Sequence, residues 1–172
     1  MAQTILPFQY EVEKKSRGMT ALAGLPTYLE FSHLMGLRRL ISDHLQARQG
    51  EQGWTDDQMI MALVLLNLAG GDCVDDVQVL EGDEGFCRVL REVEFYGRTR
   101  SERRALKLRW RKERTRTFPS PTAVREYLEL FHDPEQEKTR RPHTAFIPDP
   151  CKLLRALVIL NGAFAAAVQH RS

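Results

Sequence analysis

The stretch from Thr55 to Gly71 constrains the fold more than any other part of the chain. Thr55 and Gln58 stand three residues apart, the spacing at which a Thr hydroxyl and a Gln side chain satisfy each other's backbone N–H groups at a helix start. Asp56 and Asp57 sit in the first turn, where carboxylates complement the positive end of the helix dipole. Met59 to Ala69 is then nearly all apolar. A helix apolar on every side has to be buried, so the pattern predicts a central core helix. Gly70-Gly71 supplies the chemistry that ends it.

The segments around it also read as helices. Leu22 to Ala47 carries Leu25, Tyr28, Leu29, Leu34, Leu37, Leu40, Ile41 and Leu45 at helical spacing, with Pro26 suited to a first turn and Gly36 dividing the run in two. Asp72 is expected to cap a short helix through Leu80, and Asp83 another through about Glu92 that buries Phe86, Val89 and Leu90. Ser101 is expected to cap a helix over about 101–115, with Leu106 and Trp110 on one face. Ser120 followed by Pro121 opens a further helix, in which Tyr127, Leu128, Leu130 and Phe131 are the candidates for packing on the bundle. One helical turn is expected around Glu135–Lys138, and a last helix runs from Cys151 to about Gln169. No stretch alternates as a strand does. The expected fold is all-α, a compact multi-helix bundle with a helix-turn-helix-like element and a basic helix. Its expected organisation is an extended arm over 1–21, a helical DNA-binding domain over 22–133, a linker over 134–150 and a C-terminal helix over 151–172.

At 172 residues the chain fits one domain with appendages. No uncharged apolar run approaches the roughly 18–20 residues that cross a bilayer, and no membrane partner is expected. Three cysteines without a CxxC pair suit a reducing cytoplasm and small buried thiols better than a disulfide framework or a zinc site. The five histidines are scattered, and no phosphate-cradling glycine loop occurs. Asp72, Asp75 and Asp76 form the best carboxylate cluster. It suits a divalent cation, or equally a helix cap with two solvated acids, and the second reading is favoured because the helix dipole accounts for it. No catalytic residue, metal ligand or cofactor is expected in this chain.

Charge is where function shows. Residues 98–116 hold ten Lys or Arg and two acids among nineteen positions, about +8 in a chain of net charge +2. So concentrated a stretch repels itself unless an anion meets it, and duplex DNA is the first candidate. Arg103, Arg104 and Lys107, then Arg111, Lys112 and Arg114, are the expected phosphate contacts. In the helix that follows, Ser120 and Thr122 suit phosphate at a helix N-terminus, and Arg125 suits a guanine edge or a further phosphate. A competing partner lies within the chain: residues 56–94 hold ten acids and two arginines, so the basic segment has an intramolecular surface to dock on.

Three blocks carry a family resemblance. They are Gly53-Trp54-Thr55-Asp56-Asp57-Gln58-Met59, then Leu65 to Asp76 (Leu-Leu-Asn-Leu-Ala-Gly-Gly-Asp-Cys-Val-Asp-Asp), then Leu80-Glu81 and Asp83 to Arg91. With Arg109 to Arg114, Pro119 to Val124 and Phe131-His132-Asp133-Pro134, they resemble the N-terminal region of bacterial insertion-sequence DDE transposases, over about Leu22 to Gln169. The resemblance implies recognition of terminal inverted repeats in DNA transposition, with the helix after Pro119-Ser120 as the DNA-binding helix. It also implies pairing with a second copy or with full-length transposase, and a place in the bacterial cytoplasm at the nucleoid. In that family an RNase H-like domain follows, in which two Asp and one Glu hold two divalent metals. No position here matches that triad, and the sequence reaches Ser172 about where the first strand of that domain is expected. The reading is therefore a truncated transposase that binds DNA without strand transfer. The alternative is a helical oligomerisation module that modulates full-length transposase.

Overall fold

The computed structural model describes residues 5–7, 19–49, 53–108, 116–147 and 149–170, without the side chains of 106–108. Glycines set its first two corners. Residues after Gly24 form α1 (Leu25–Leu34) and α2 (Leu37–His44). The break falls at Gly36, whose φ of 70° lies in the left-handed region that strains any residue with a Cβ. α3 (Asp56–Leu68) opens with the expected reciprocal box between Thr55 and Gln58. It closes in a Schellman turn, in which Gly70 (φ 81°) donates to the Asn67 carbonyl and Gly71 donates to the Leu66 carbonyl.

One turn of 3-10 helix, Val74–Asp76, leads into α4 (Val77–Gly82), and α5 (Glu84–Phe95) follows. The cap here is not Asp72. Asp76 reaches back, and its Oδ2 accepts the N–H groups of Asp72 (2.9 Å) and Cys73 (3.0 Å). The 3-10 turn begins one residue later than an Asp72 cap requires, which moves that role to the acid within the turn. The backbone N–H of Cys73, then that of Asp72, hold the Asp76 carboxyl below its ordinary range.

Asp83 does cap α5, accepting Phe86 N–H at 2.8 Å. Its other oxygen accepts the Thr20 hydroxyl (2.7 Å) and Ala21 N–H (3.0 Å), so one carboxylate joins the approach to α1 to the start of α5. Partial burial pushes this carboxyl up, but the hydrogen bonds from Phe86, Thr20 and Ala21 outweigh it and its pKa is lowered.

The main core takes Leu29 from α1, Ile41 from α2, Leu65 from α3, Leu80 from α4 and Phe86 from α5, all buried. Leu6, from the segment expected as an extended arm, is buried in the same cluster. The basic helix is α6 (Arg100–Leu108), α7 is Pro121–Glu129 and α8 is the single turn Pro134–Glu137, capped by Asp133. In the stretch expected as a linker, Gln136 bonds both the N–H and the carbonyl of Asp149. α9 (Lys152–Gln169) packs along α2 and sends Leu160 into the main core.

The expected full burial of α3 fails on one side. Val64 and Leu68 are 36% and 41% exposed, because they line an open groove of about 420 Å³ between α1, α3 and α9. α9 is long and apolar enough, by length and composition, to cross a membrane, and only 6% of it is buried. Among the described residues the structure is all helical, with no strand.

Asp83→Ala removes a cap and a long-range tie together. At pH 7 it should lower the unfolding free energy in urea by about 1–2 kcal/mol. The folded-state pKa of Asp83 lies below the ordinary 3.8. The native advantage over the variant should therefore be constant near neutrality and vanish as pH falls below about that value.

Candidate nucleic-acid interface

α6 begins two residues earlier than Ser101 would place it. Thr99 is the cap: its hydroxyl accepts Glu102 N–H (3.2 Å), while Glu102 Oε2 accepts Thr99 N–H (2.6 Å) and its hydroxyl (2.8 Å). The Thr-x-x-Glu spacing is the one already read at Thr55. The Thr99 N–H, then its hydroxyl, lower the Glu102 carboxyl below its usual range. The acid within this helix start is thus spent on the cap.

Arg100, Arg103 and Arg104 are exposed and form no ion pair among the described residues. Arg103 Nε donates to the Arg98 carbonyl at 3.0 Å, which turns it back toward the start of the helix. The side chain of Lys107 lies outside the described residues, as do Trp110, Arg111, Lys112 and Arg114.

The acidic part of the bundle holds the two flanks of this segment. On one side Arg98 donates to the Glu94 carbonyl (2.7 Å), with Nη2 3.8 Å from Asp57. On the other, the Glu81 carboxylate accepts Thr117 N–H (3.0 Å) and Phe118 N–H (2.7 Å). Phe118 is buried there, its ring stacked on Phe86 with centroids 6.1 Å apart. The acidic region therefore meets the segment at Arg98 and holds the backbone just beyond its other end, while the described arginines of α6 remain turned to solvent.

α7 starts as its sequence predicts, with the Ser120 hydroxyl accepting Ala123 N–H at 3.2 Å and Pro121 in the first turn. This start offers an anion few donors: Pro121 has no N–H and Ala123 gives its own to Ser120, leaving the N–H and hydroxyl of exposed Thr122. Arg125 is exposed, and its Nη2 lies 2.5 Å from Asp75 Oδ2. With both side chains more than half exposed, at 52% and 56%, such a pair is worth at most about 1 kcal/mol and yields readily to a stronger anion.

α7 is fastened by Val124 and Tyr127, both buried, with Phe131 half-buried behind them. Leu128 and Leu130, expected to share this role, are exposed. Positions 124, 127 and 131 recur on one helical face, whereas 128 lies on its flank and 130 outside it. Tyr127 packs with Trp54 and Met59, meets Phe131 edge-on at 5.5 Å, and lies under Arg48 at 5.8 Å. Its hydroxyl and Asp56 Oδ1 are both buried without a hydrogen-bond partner among the described residues. Burial, then the Asp56 charge, pushes Tyr127 ionisation far up, so the phenol stays neutral.

The carboxylates of the Asp72 cluster are divided among other tasks: Asp76 caps, Asp75 faces Arg125, and Asp72 is exposed. Among the described residues no three His, Cys, Asp or Glu side chains converge as metal ligands would. Sequence reasoning missed Glu81. Glu81 meets its partners 36 and 37 positions away, beyond any local spacing rule.

The predicted residues thus fall in two groups, Arg103 and Arg104 on α6, and Ser120, Thr122 and Arg125 on α7. No hydrogen bond or ion pair among the described residues joins them. Comparison with protein-family models, curated proteins and solved structures yields no match.

Tyr127 makes a separable test of how α7 is held. Tyr127→Phe removes only the hydroxyl and should leave stability within about 1 kcal/mol of the native protein. Tyr127→Ala removes the ring and should cost about 3–5 kcal/mol in denaturant unfolding. Equal losses in the two variants would mean that the hydroxyl, not the ring, fastens α7.

Proposed function

We propose that the chain is the DNA-binding part of a bacterial insertion-sequence DDE transposase, acting on terminal inverted repeats without strand-transfer chemistry of its own. The observation that carries this reading is the exposed arginine set of α6, held at both flanks by the acidic bundle and unneutralised by it. Such a segment is presented rather than folded away, and its natural counterion is a polyanion. In this reading α6 grips backbone phosphates. α7 is the reading helix of a helix-turn-helix-like element, offering Thr122 at its start and Arg125 one turn on. The bacterial cytoplasm, at the nucleoid, is the compartment this function requires.

A second reading rests on a different observation. The groove between α1, α3 and α9 exposes Tyr28, Phe31, Val64 and Leu68, and α9 adds Val158 and Ile159, 70% and 58% exposed. Apolar surface of this kind suits pairing with a second copy or with full-length transposase. Val158→Glu, which leaves the core untouched, should shift any dimer seen by sedimentation at micromolar concentration to monomer. A native protein that sediments as a monomer at that concentration removes the second reading.

For the first reading, binding to a labelled duplex should fall steeply with salt. With about five phosphates neutralised, log K against log salt should slope at roughly −4.5. Arg103→Ala with Arg104→Ala should weaken binding to terminal-repeat and random duplexes alike, and reduce the slope by about 2. Arg125→Ala should act mainly on the terminal repeat. Salt-independent binding, or none, rejects the proposal; equal losses on both duplexes reject a base contact for Arg125.

A further inference from the structure

A cleft of about 480 Å³ opens between α1, the start of α2 and the α5–α6 turn, lined in part by His33, Arg38, Arg39, Tyr96, Arg98 and Glu102. None of the candidate residues taken from the sequence lies in it. Its size falls in the range of sites that hold a small ligand or a piece of a larger one.

Three of its lining residues are arginines, and their charge is only partly met. Arg38 comes from α2 and Arg98 from the α5–α6 turn, and each lies 3.8 Å from the same Asp57 oxygen. That distance gives Coulomb attraction but is too long for a hydrogen bond, so apart from Arg98 Nε, which donates to the Glu94 carbonyl, donors of both guanidinium groups stay available. Two cations share one carboxylate, which leaves about one positive charge over. Arg39 stands at the rim, 88% exposed and only loosely paired with Asp43 at 3.6 Å. The one acid in the lining, Glu102, is held ionised by Thr99 and then by the Arg98 charge, so the lining sets three cations against one anion.

The backbone adds to this field. α2 begins at Gly36 with no side-chain cap, so the first N–H groups of the helix have no partner from a capping side chain. Gly36 itself lines the cleft. An edge-on pair of rings, His33 and Tyr96 at 5.7 Å, forms an aromatic wall beside the arginines. Through the Arg103 bond to the Arg98 carbonyl, the cleft is continuous with the cationic start of α6.

We infer that this cleft is a phosphate-binding site, with Arg38, Arg39 and Arg98 as its donors, and that it seats a backbone phosphate of the duplex that α6 follows. Arginine suits this task because its planar fork meets two phosphate oxygens at once. The assignment of the phosphate to DNA rests on the proposed function. The site's preference for a phosphate oxyanion rests on the cleft alone, and the two are separable by experiment.

Two measurements on the full chain test it. In the first, duplex binding is followed by fluorescence anisotropy across a sodium chloride series for the native protein, Arg39→Ala, Arg98→Gln and the pair combined. Arg39→Ala changes an exposed rim residue and provides a variant free of folding defects, and Arg98→Lys retains the charge. Because the cleft seats one phosphate, the salt slope should shrink by up to about 1 in the combined variant and by part of that in each single variant, with partial rescue in Arg98→Lys. In the second, inorganic pyrophosphate is titrated into the native protein while the ring resonances of His33 and Tyr96 are recorded by NMR. Saturable shifts that are lost in Arg39→Ala/Arg98→Gln support the site.

Duplex binding with an unchanged slope in every variant, and no ring shifts, overturns the cleft while leaving the α6 proposal standing. Ring shifts with pyrophosphate in a protein that binds no duplex keep the phosphate site and overturn its assignment to DNA. Neither response overturns both.

Discussion

The Glu81 carboxylate decides where the second half of the chain can go. It accepts the backbone N–H groups of Thr117 and Phe118, and this fixes the return of the chain after its most repulsive stretch. With those amides held, Phe118 stacks on Phe86, Ser120 is positioned to start α7, and Tyr127 meets Trp54 and Met59. Charge-assisted bonds from backbone amides to a carboxylate are among the stronger hydrogen bonds a protein makes. Asp83, two residues on at the same end of α4, does the same for Thr20 and Ala21. Two acids at the close of one short helix thus bring in both the N-terminal approach and the return from α6.

This use of acids explains how a chain of opposed charge blocks avoids a simple collapse of one on the other. The acidic block spends Asp56, Asp76, Glu81 and Asp83 on backbone amides, and Asp57 on arginines at the margin. Half of the ten acids are held in this way, and among the described residues none of the ten is paired with an α6 guanidinium group. The result is a bundle that carries an exposed cationic helix, an arrangement suited to a polyanionic partner in the proposed role.

Local chemistry was legible in the sequence wherever partners lie within one turn. The Thr55–Gln58 box, the break at Gly36, the Schellman end at Gly70-Gly71, and the caps at Asp83 and Ser120 all follow from spacing alone. Ser101 and Asp72 were misread for a local reason: two candidate caps stood close together, and the choice depended on where the preceding turn released the chain. The face of α3 left open at Val64 and Leu68 was not legible, because composition shows that a helix is apolar but not how many neighbours reach it. The arginine cleft was invisible for the same reason: Arg38 and Arg98 meet only once α2 and the α5–α6 turn come together at Asp57.

The paired glycines after α3 look interchangeable in the sequence and are not. At position 70 the demand is a torsion angle, which an asparagine can also adopt. At position 71 the demand is volume: a Cβ there would meet the Leu66 side chain, with Cγ 2.9 Å and the carbonyl oxygen 3.1 Å away. Leu66 belongs to the main core, so it cannot yield without disturbing α3. The first position should therefore accept little beyond glycine and asparagine and the second should refuse any side chain, which makes the second a marker for recognising this corner in sequences that otherwise share little with this one.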